Sequence, residues 1–468
     1  MIGDPPQRVR RHAATRRRAV VRILAVLACG GLALSGAVAL TIPALGPAQV
    51  PSAANMRSAG VAGLDRSAGA ADGAPMISGP TADLAAERVT LAGKVLGRQA
   101  AAVRAGDRAS YLATIDPASP DFAAVAARTY DNLARMQVVQ VRFGTPSLDD
   151  GALTADRRSA LGPTAWAADV EMTFRLRQGD TQLWKTSLRM AFVQRGGRTY
   201  VAGDRENQAA TDPMPLWLID KVDVVRGKHS LVVGVGSRTR LERYALTTDR
   251  SVPRVTSVWG RNWDQYVVVL VPATQGQMER LIGADSDSQA AVAAVTTSVG
   301  RSDPNLASHI VINPRTFDQI GSLGRLVVLT HEATHVAANA TMSSMPVWLS
   351  EGFADYVGFR GSGLASSVIA EEFLQQVRQG GAPDALPGGP QFDPQAKALD
   401  EAYESAWTAC SYVAARWSQA KLVEFYVAMD RAASAADQAD VYRRVLRTTE
   451  QDFVQGWREY VEARSKDG

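Results

Sequence analysis

The stretch VVLTHEATHVAANA, residues 327–340, holds two of the five histidines in this chain of 468 residues. His331 and His335 stand four residues apart, and Glu332 directly follows the first of them. In a helix this spacing places both imidazoles on one face, one turn apart, while Glu332 projects about 100° further round. The flanking residues are apolar, so the pattern predicts a buried helix that carries three polar side chains.

Two interpretations of this helix are open. Burying two histidines and a glutamate without partners costs several kcal/mol, so something must compensate. In the first interpretation one Zn²⁺ ion compensates: His331 and His335 bind it, and Glu332 takes a proton from water held at the metal. In the second, the stretch is an ordinary core helix whose histidines are satisfied by other side chains. The pair of histidines favours the first.

A catalytic zinc site needs a third protein ligand and one open position. The segment SSMPVWLSEGFADYVGF, residues 343–359, offers a candidate in Glu351. Pro346 suits the first turn of a helix, and Asp355 stands four residues after Glu351 on the same predicted face. A surface helix with exposed acids is the alternative, but the many aromatic and aliphatic neighbours disfavour it.

The quoted string WLSEGFADY closely resembles the segment that carries the glutamate ligand in M1-type aminopeptidases. Together with H-E-x-x-H, the region is similar to the gluzincin metallopeptidases, which include the thermolysin-like enzymes. The resemblance spans roughly residues 305–430. It implies zinc-dependent hydrolysis of peptide bonds in a peptide or protein substrate.

The resemblance also implies a role for each matching residue. His331, His335 and Glu351 would bind the zinc ion, and Glu332 would be the general base. Asp355 would hold the imidazole of His331 without binding the zinc ion itself, and so fix its tautomer.

A tyrosine is expected to stabilise the oxyanion, because the M1-type pattern Tyr-Glu-x-Gly is similar to the start of EAYESAWTACSYVAARW, residues 401–417. Tyr403 is the favoured residue and Tyr412 its rival, unless both pack in a helical core. The resemblance further makes SHIVINPRTF, residues 308–317, the sheet edge along which substrate lies. His309 on that strand is interpreted as a strand-end histidine.

The aminopeptidase motif Gly-x-Met-Glu-Asn is absent, and GQMERL, residues 276–281, is the nearest string. Whether the protein is an exopeptidase or an endopeptidase therefore stays open.

The N-terminus predicts export. Residues 1–22 carry seven arginines and one acid, a net +6, so the remainder of the +4 chain sums to −2. Positive charge is thus local, which argues against nucleic acid as a partner. Residues 23–46 contain no charge, and a helix of that length spans about 36 Å, enough to cross a bilayer.

Arginines on the N-terminal side favour a cytoplasmic segment 1–22 and a single-pass helix 23–46 with the rest outside the cell membrane. A cleaved signal peptide followed by secretion is the alternative. Cys29 falls in the apolar segment and leaves Cys410 alone in the exported part, so no disulfide is expected there. Abundant arginine beside scarce lysine is typical of a GC-rich bacterial genome.

The remaining chain predicts an α+β protein in two units. Residues 47–82, rich in Ala, Gly, Ser and Pro, indicate a flexible linker. Residues 83–210 show helices followed by alternating strands, which resembles the NTF2-like fold. Residues 215–468 are expected to form the gluzincin-like, zincin-like metallopeptidase domain, a small mixed sheet plus helices.

The functional prediction is a membrane-anchored zinc metallopeptidase. The alternative is a non-catalytic, zinc-stabilised protein that binds or senses a ligand at the cell envelope. A latent enzyme gated by the upstream unit is a third possibility.

Overall fold

The computed structural model describes residues 80–149, 151–177, 183–209, 212–284, 292–298 and 308–466. Helices and sheets occur together throughout, so the predicted α+β class is confirmed. The predicted segments 1–22 and 23–46, and nearly all of the linker, lie outside the described residues. Among the residues that are described, no helix is long and apolar enough to cross a membrane.

The first helix of the described chain overlaps the last residues of the predicted linker 47–82. The first helix begins at Pro80, where proline is tolerated because the first turn of a helix needs no donor from it. The elements of the upstream unit are α1 Pro80–Ala105, α2 Arg108–Leu112, α3 Pro120–Met136, β1 Val138–Phe143, β2 Ser147–Leu148, α4 Ala155–Leu161, β3 Trp166–Leu176, β4 Trp184–Arg195 and β5 Arg198–Gly203.

The C-terminal unit alternates strands and helices and then becomes helical. Its elements are α5 Leu216–Ile219, β6 Asp223–Arg226, β7 Ser230–Gly234, α6 Arg238–Trp259, β8 Val267–Val271, α7 Gln275–Ile282, β9 Ala294–Ser298, β10 Ser308–Ile312, α8 Pro314–Phe317, α9 Ser322–Ala338, a 3₁₀ turn Ala340–Met342, α10 Val347–Phe359, α11 Ser366–Ile369, α12 Glu371–Gly380, a 3₁₀ turn Gly389–Phe392, α13 Leu399–Arg416, α14 Gln419–Asp430, α15 Ala435–Val441, a π turn Tyr442–Leu446 and α16 Glu450–Lys466.

The upstream sheet is an antiparallel meander, as the alternating sequence predicts. Its described strands run in the order β1-β3-β4-β5, and β2 pairs with β3. In β3 the residues Val170, Met172 and Phe174 are buried and alternate with more exposed ones, which is the period of a half-buried strand. Their face packs with the buried residues of α3 in one apolar core.

The two units share this core and are joined by polar contacts as well. The buried amide of Asn132 in α3 donates to the main-chain oxygens of Trp217 and Asp220, at 2.8 and 2.7 Å, and accepts from Val222 N. Trp184 at the start of β4 packs against His309 of β10, with ring centroids 3.9 Å apart and ring planes inclined by 38°. The upstream unit therefore packs directly on the sheet that leads to the histidine helix.

The second sheet decides where the histidine helix lies, and it corrects one expectation. The described strands run in the order β6-β7-β8-β10-β9. β10, expected to be the edge, is instead flanked by parallel β8 and antiparallel β9. β9 stands at the end of this order and pairs with β10 on one side, so it forms an edge of the described sheet.

Two glycines let α10 pack closely between α9 and α13. A Cβ on Gly358 would lie 3.2 Å from the main-chain oxygen of Val327 and 3.6 Å from His331 Cβ. A Cβ on Gly352 would collide with the main-chain oxygen of Ala406. The absence of side chains at both positions brings the acids of α10 up to the histidines of α9.

Candidate metal centre

Helix α9 buries the whole H-E-x-x-H motif. His331, Glu332 and His335 are 0, 1 and 5% exposed. The helix is apolar on nearly all sides and ends at Asn339, which adopts the left-handed conformation common after a helix C-terminus. Three polar side chains are thus held in the interior by a rigid element, as the sequence predicts.

Helix α10 brings Glu351 to both histidines. Glu351 Oε2 lies 3.3 Å from His331 Nε2 and 3.4 Å from His335 Nε2, and the two Nε2 atoms are 3.0 Å apart. Among the described residues these three side chains form a buried group that could hold a metal ion. The structure therefore brings together the three residues that were predicted from the sequence to be ligands.

The dimensions of this group fit a small tetrahedral cation. Ligands bonded at about 2.0–2.1 Å in tetrahedral geometry are separated from one another by about 3.3 Å. The three measured separations, 3.0, 3.3 and 3.4 Å, lie near that value. Glu351 Oε2 is also fully buried and has no partner in hydrogen-bonding geometry within the described residues. Two nitrogens and an orphaned carboxylate oxygen are a donor set suited to a metal.

Asp355 fixes the orientation of one histidine. Its Oδ1 accepts a hydrogen bond of 2.7 Å from His331 Nδ1, and both side chains are buried. Because Nδ1 carries a proton in this bond, Nε2 is the nitrogen of His331 that faces Glu351 and can bind a metal once the ring is neutral. The structure places Asp355 where the resemblance implied it.

The charges of the site are strongly coupled. Burial alone would lower the pKa of His331, but Asp355 and Glu351 raise it well above its ordinary value. Burial likewise opposes ionisation of Glu351, but the two histidines lower its pKa below the ordinary range. Without a metal the site is therefore an imidazolium–carboxylate cluster, and a metal must displace a proton to bind.

Glu332 lies beside the ligand group rather than in it. Burial raises the pKa of Glu332, although the histidines and a hydrogen bond from Thr296 oppose the shift. Thr296 Oγ1 lies 2.7 Å from Glu332 Oε2. A buried carboxylate with a raised pKa is suited to accept a proton near neutral pH.

The two candidate tyrosines occupy different surroundings in α13. Tyr403 is fully buried, and its ring meets Phe392 edge-on at 5.0 Å. The Tyr412 ring packs among Trp417, Phe453 and Tyr460 at 5.4–5.5 Å. The Tyr412 hydroxyl lies against Gly456 of α16, so this tyrosine belongs to the aromatic core between α13 and α16. The role of Tyr403 in stabilising an oxyanion stays a prediction.

Sequence reasoning missed Thr296. It stands 36 residues before Glu332, on a strand whose position in the sheet cannot be predicted from its amino-acid sequence. The run of β-branched residues in AVTTS predicts the strand, and alternation predicts that only one of its two threonines faces the helix. The sheet order was needed to decide which one.

A scan against models of known protein families and a search of curated proteins both find no match to this chain.

Proposed function

We propose that the C-terminal unit is a zinc metallopeptidase that hydrolyses peptide bonds. The observation that carries the proposal is the buried group of His331, His335 and Glu351, with separations suited to a tetrahedral ion. Glu332 adds the group that a purely structural site does not need, a buried carboxylate next to the ligands. A zinc ion bound there would polarise both a water molecule and the substrate carbonyl.

The chain's own residues supply the remaining chemistry. Glu332 accepts the proton of the attacking water as its oxygen bonds to the carbonyl carbon. Glu332 then delivers that proton to the amide nitrogen as the C–N bond breaks. Asp355 holds His331 in the tautomer that leaves Nε2 free to bind the metal. Tyr403 is proposed to donate to the developing oxyanion.

The proposal extends to the architecture. Helix α9 beneath a mixed sheet with antiparallel edge strand β9, followed by α10 with the third ligand, supports a zincin-like, gluzincin-type domain. Helices before a curved antiparallel meander support an NTF2-like upstream unit. On β9, at the edge of the described sheet, the Thr296 side chain contacts the main-chain oxygen of the proposed base Glu332 at 3.1 Å.

Metal content and turnover test the proposal together. The purified full-length chain is expected to hold about one zinc per chain and to cleave fluorescein-labelled casein, with cleavage lost to a chelator and regained with zinc. Glu351→Ala is expected to lose most of the zinc and the cleavage. Glu424→Ala, which removes a carboxylate 54% exposed and far from the group along the chain, is the matched control.

The outcomes separate the proposal from its alternative. Zinc bound stoichiometrically without cleavage of casein or of a random peptide library favours the zinc-stabilised binding protein. In that case chelation is expected to unfold the unit rather than only stop turnover. Absence of zinc from both proteins contradicts both readings of the site.

We also propose that residues 23–46 anchor the protein in the cell membrane with residues 47–468 outside. In cells that express the chain, it is expected in the membrane fraction and open to protease added to spheroplasts. A soluble product that starts after residue 46 supports secretion instead.

A further inference from the structure

Thr296 contacts the motif glutamate at two atoms. Its Oγ1 lies 2.7 Å from Glu332 Oε2 and 3.1 Å from the main-chain oxygen of Glu332. Thr296 is 7% exposed, so solvent competes little for these contacts. A hydroxyl carries one proton, and the shorter contact to a carboxylate is the stronger of the two bonds.

The register of the sheet fixes the position of this hydroxyl. Thr296 pairs with Ile310 in the centre of the β9–β10 ladder, which is regular from Ala294 to Ser298. Successive side chains of a strand point to opposite faces, so Thr296 faces α9 whereas Thr297 faces away. A slip of one residue would turn the hydroxyl away from the helix, and the ladder resists that slip.

The other contacts of the site leave Glu332 without a comparable anchor. Asp355 holds His331, and Glu351 faces both histidines, but neither bonds to the Glu332 carboxylate in the described structure. A glutamate side chain has three rotatable bonds, and its carboxylate must be held if it is to meet the attacking water repeatedly in one geometry. The observed anchor comes from β9.

We propose that Thr296 is a positioning residue for Glu332. By donating to Oε2 it holds the carboxylate in one orientation and leaves Oε1 to take the proton of the attacking water. This inference rests on the proposed function of Glu332 as the general base. It assigns the edge strand of the sheet a part in the reaction through a side chain, in addition to any contact with substrate.

Crystal structures test the positioning without reference to activity. In the full-length protein and in Thr296→Ser, Glu332 Oε2 is expected within hydrogen-bonding distance of the residue 296 hydroxyl. In Thr296→Val, which keeps the shape but has no hydroxyl, the carboxylate is expected to rotate or to occupy several conformers. Thr296→Ala serves if the valine variant does not fold. A single unchanged Glu332 position in the valine or alanine variant overturns the proposal.

Kinetics test the consequence. With fluorescein-labelled casein, Thr296→Val is expected to lower kcat by about 10- to 100-fold, as loss of an orienting partner typically does. KM is expected to stay within about 2-fold, and the zinc content unchanged, because neither substrate binding nor a ligand is altered. Thr296→Ser is expected to recover kcat to within about 3-fold of wild type.

Thr248→Val is the matched control for these variants. Thr248 is a buried threonine of α6 whose hydroxyl donates only to the Tyr244 main-chain oxygen, at 3.0 Å, and its replacement is expected to leave kcat unchanged. If wild type cleaves casein and Thr296→Val cleaves equally well, this inference is wrong and the proposed function stands. If wild type cleaves nothing, the proposed function fails, and the crystal structures alone decide what holds Glu332.

Discussion

Asp116 in the upstream unit and Glu351 in the C-terminal unit are both buried carboxylates, 0 and 2% exposed. Asp116 is bound on all sides: Arg195 donates to it from Nε at 2.7 Å and from Nη2 at 3.0 Å, and Ser119 Oγ donates at 2.9 Å. Burial tends to raise the pKa of Asp116, but these donors hold it below its ordinary value.

Glu351 has only imidazole nitrogens near its Oε2, at 3.3 and 3.4 Å, and none in hydrogen-bonding geometry within the described chain. The comparison separates two uses of a buried charge. A carboxylate that meets an arginine fork is satisfied and holds the fold together. A carboxylate that faces imidazole nitrogens without a hydrogen-bonding partner is instead suited to a cation, which displaces a proton when it binds. Glu404 of α13 is a third case: within the described chain its carboxylate accepts a hydrogen bond from a main-chain N–H, that of Phe373 at 2.7 Å.

Replacement of Glu332, the acid beside His331, His335 and Glu351, is expected to have the largest effect on turnover. Glu332→Gln keeps the shape of the side chain but cannot take up a proton, so kcat on casein is expected to fall about 10²- to 10⁴-fold. Zinc content, measured by atomic emission, is expected to stay at the wild-type level because Glu332 is not a proposed ligand. A variant that cleaves like wild type would remove Glu332 from the reaction.

Breaking the satisfied pair is expected to act on stability alone. Asp116→Ala leaves Arg195 without its partner and should lower the free energy of unfolding by about 2–4 kcal/mol, a value reduced because Arg195 is 36% exposed. Urea unfolding followed by circular dichroism measures it. Asp131→Ala, which breaks the exposed pair with Arg108, is the control and should change the free energy of unfolding much less, because solvent screens an exposed pair. Equal losses would contradict the distinction.

Asp355→Asn tests whether the charge of Asp355, which holds His331, contributes to zinc binding. Asparagine can still accept from His331 Nδ1 but carries no charge, so zinc affinity is expected to fall about 10- to 100-fold. Competition with a chromophoric chelator measures this affinity. Asp430→Asn, at the exposed end of α14, should leave it unchanged. An undiminished affinity in Asp355→Asn would show that the hydrogen bond suffices without the charge.

Glu404 gives the most gradual effect, because it develops only as the pH changes. Burial raises the pKa of Glu404 to about 9, far above its ordinary value of 4.5. The folded protein thus keeps a proton that the unfolded chain releases, and stability falls as pH rises between these two values. Glu404→Gln removes this titration, so its melting temperature is expected to exceed that of wild type by a margin that grows from pH 5 to pH 9. Parallel melting profiles would mean that Glu404 is ionised in the fold.

Local patterns in the sequence predict much of the second unit. The hairpin at β6 and β7, the helix α6, the buried strand β8 and the helix α7 all occur where period and turn residues indicate them. Each depends on residues close together in the chain, and so does the motif in α9.

The order of strands could not be predicted in the same way. The expectation that β10 is the sheet edge was wrong, because β9 pairs with it. Several strands have similar apolar composition, so the sequence does not indicate which of them pair.

His331, Glu332 and His335 could be assigned to one buried helix from the sequence, because four-residue spacing and apolar flanks are properties of a short stretch of chain. The sequence also pointed to Glu351 and Asp355 through a local string. The tertiary structure was needed to bring Glu351 within 3.4 Å of both imidazoles and the Thr296 hydroxyl within 2.7 Å of the Glu332 carboxylate. Those contacts depend on the close approach of α10 at Gly358 and on the register of β9, which packing and sheet pairing set across many residues.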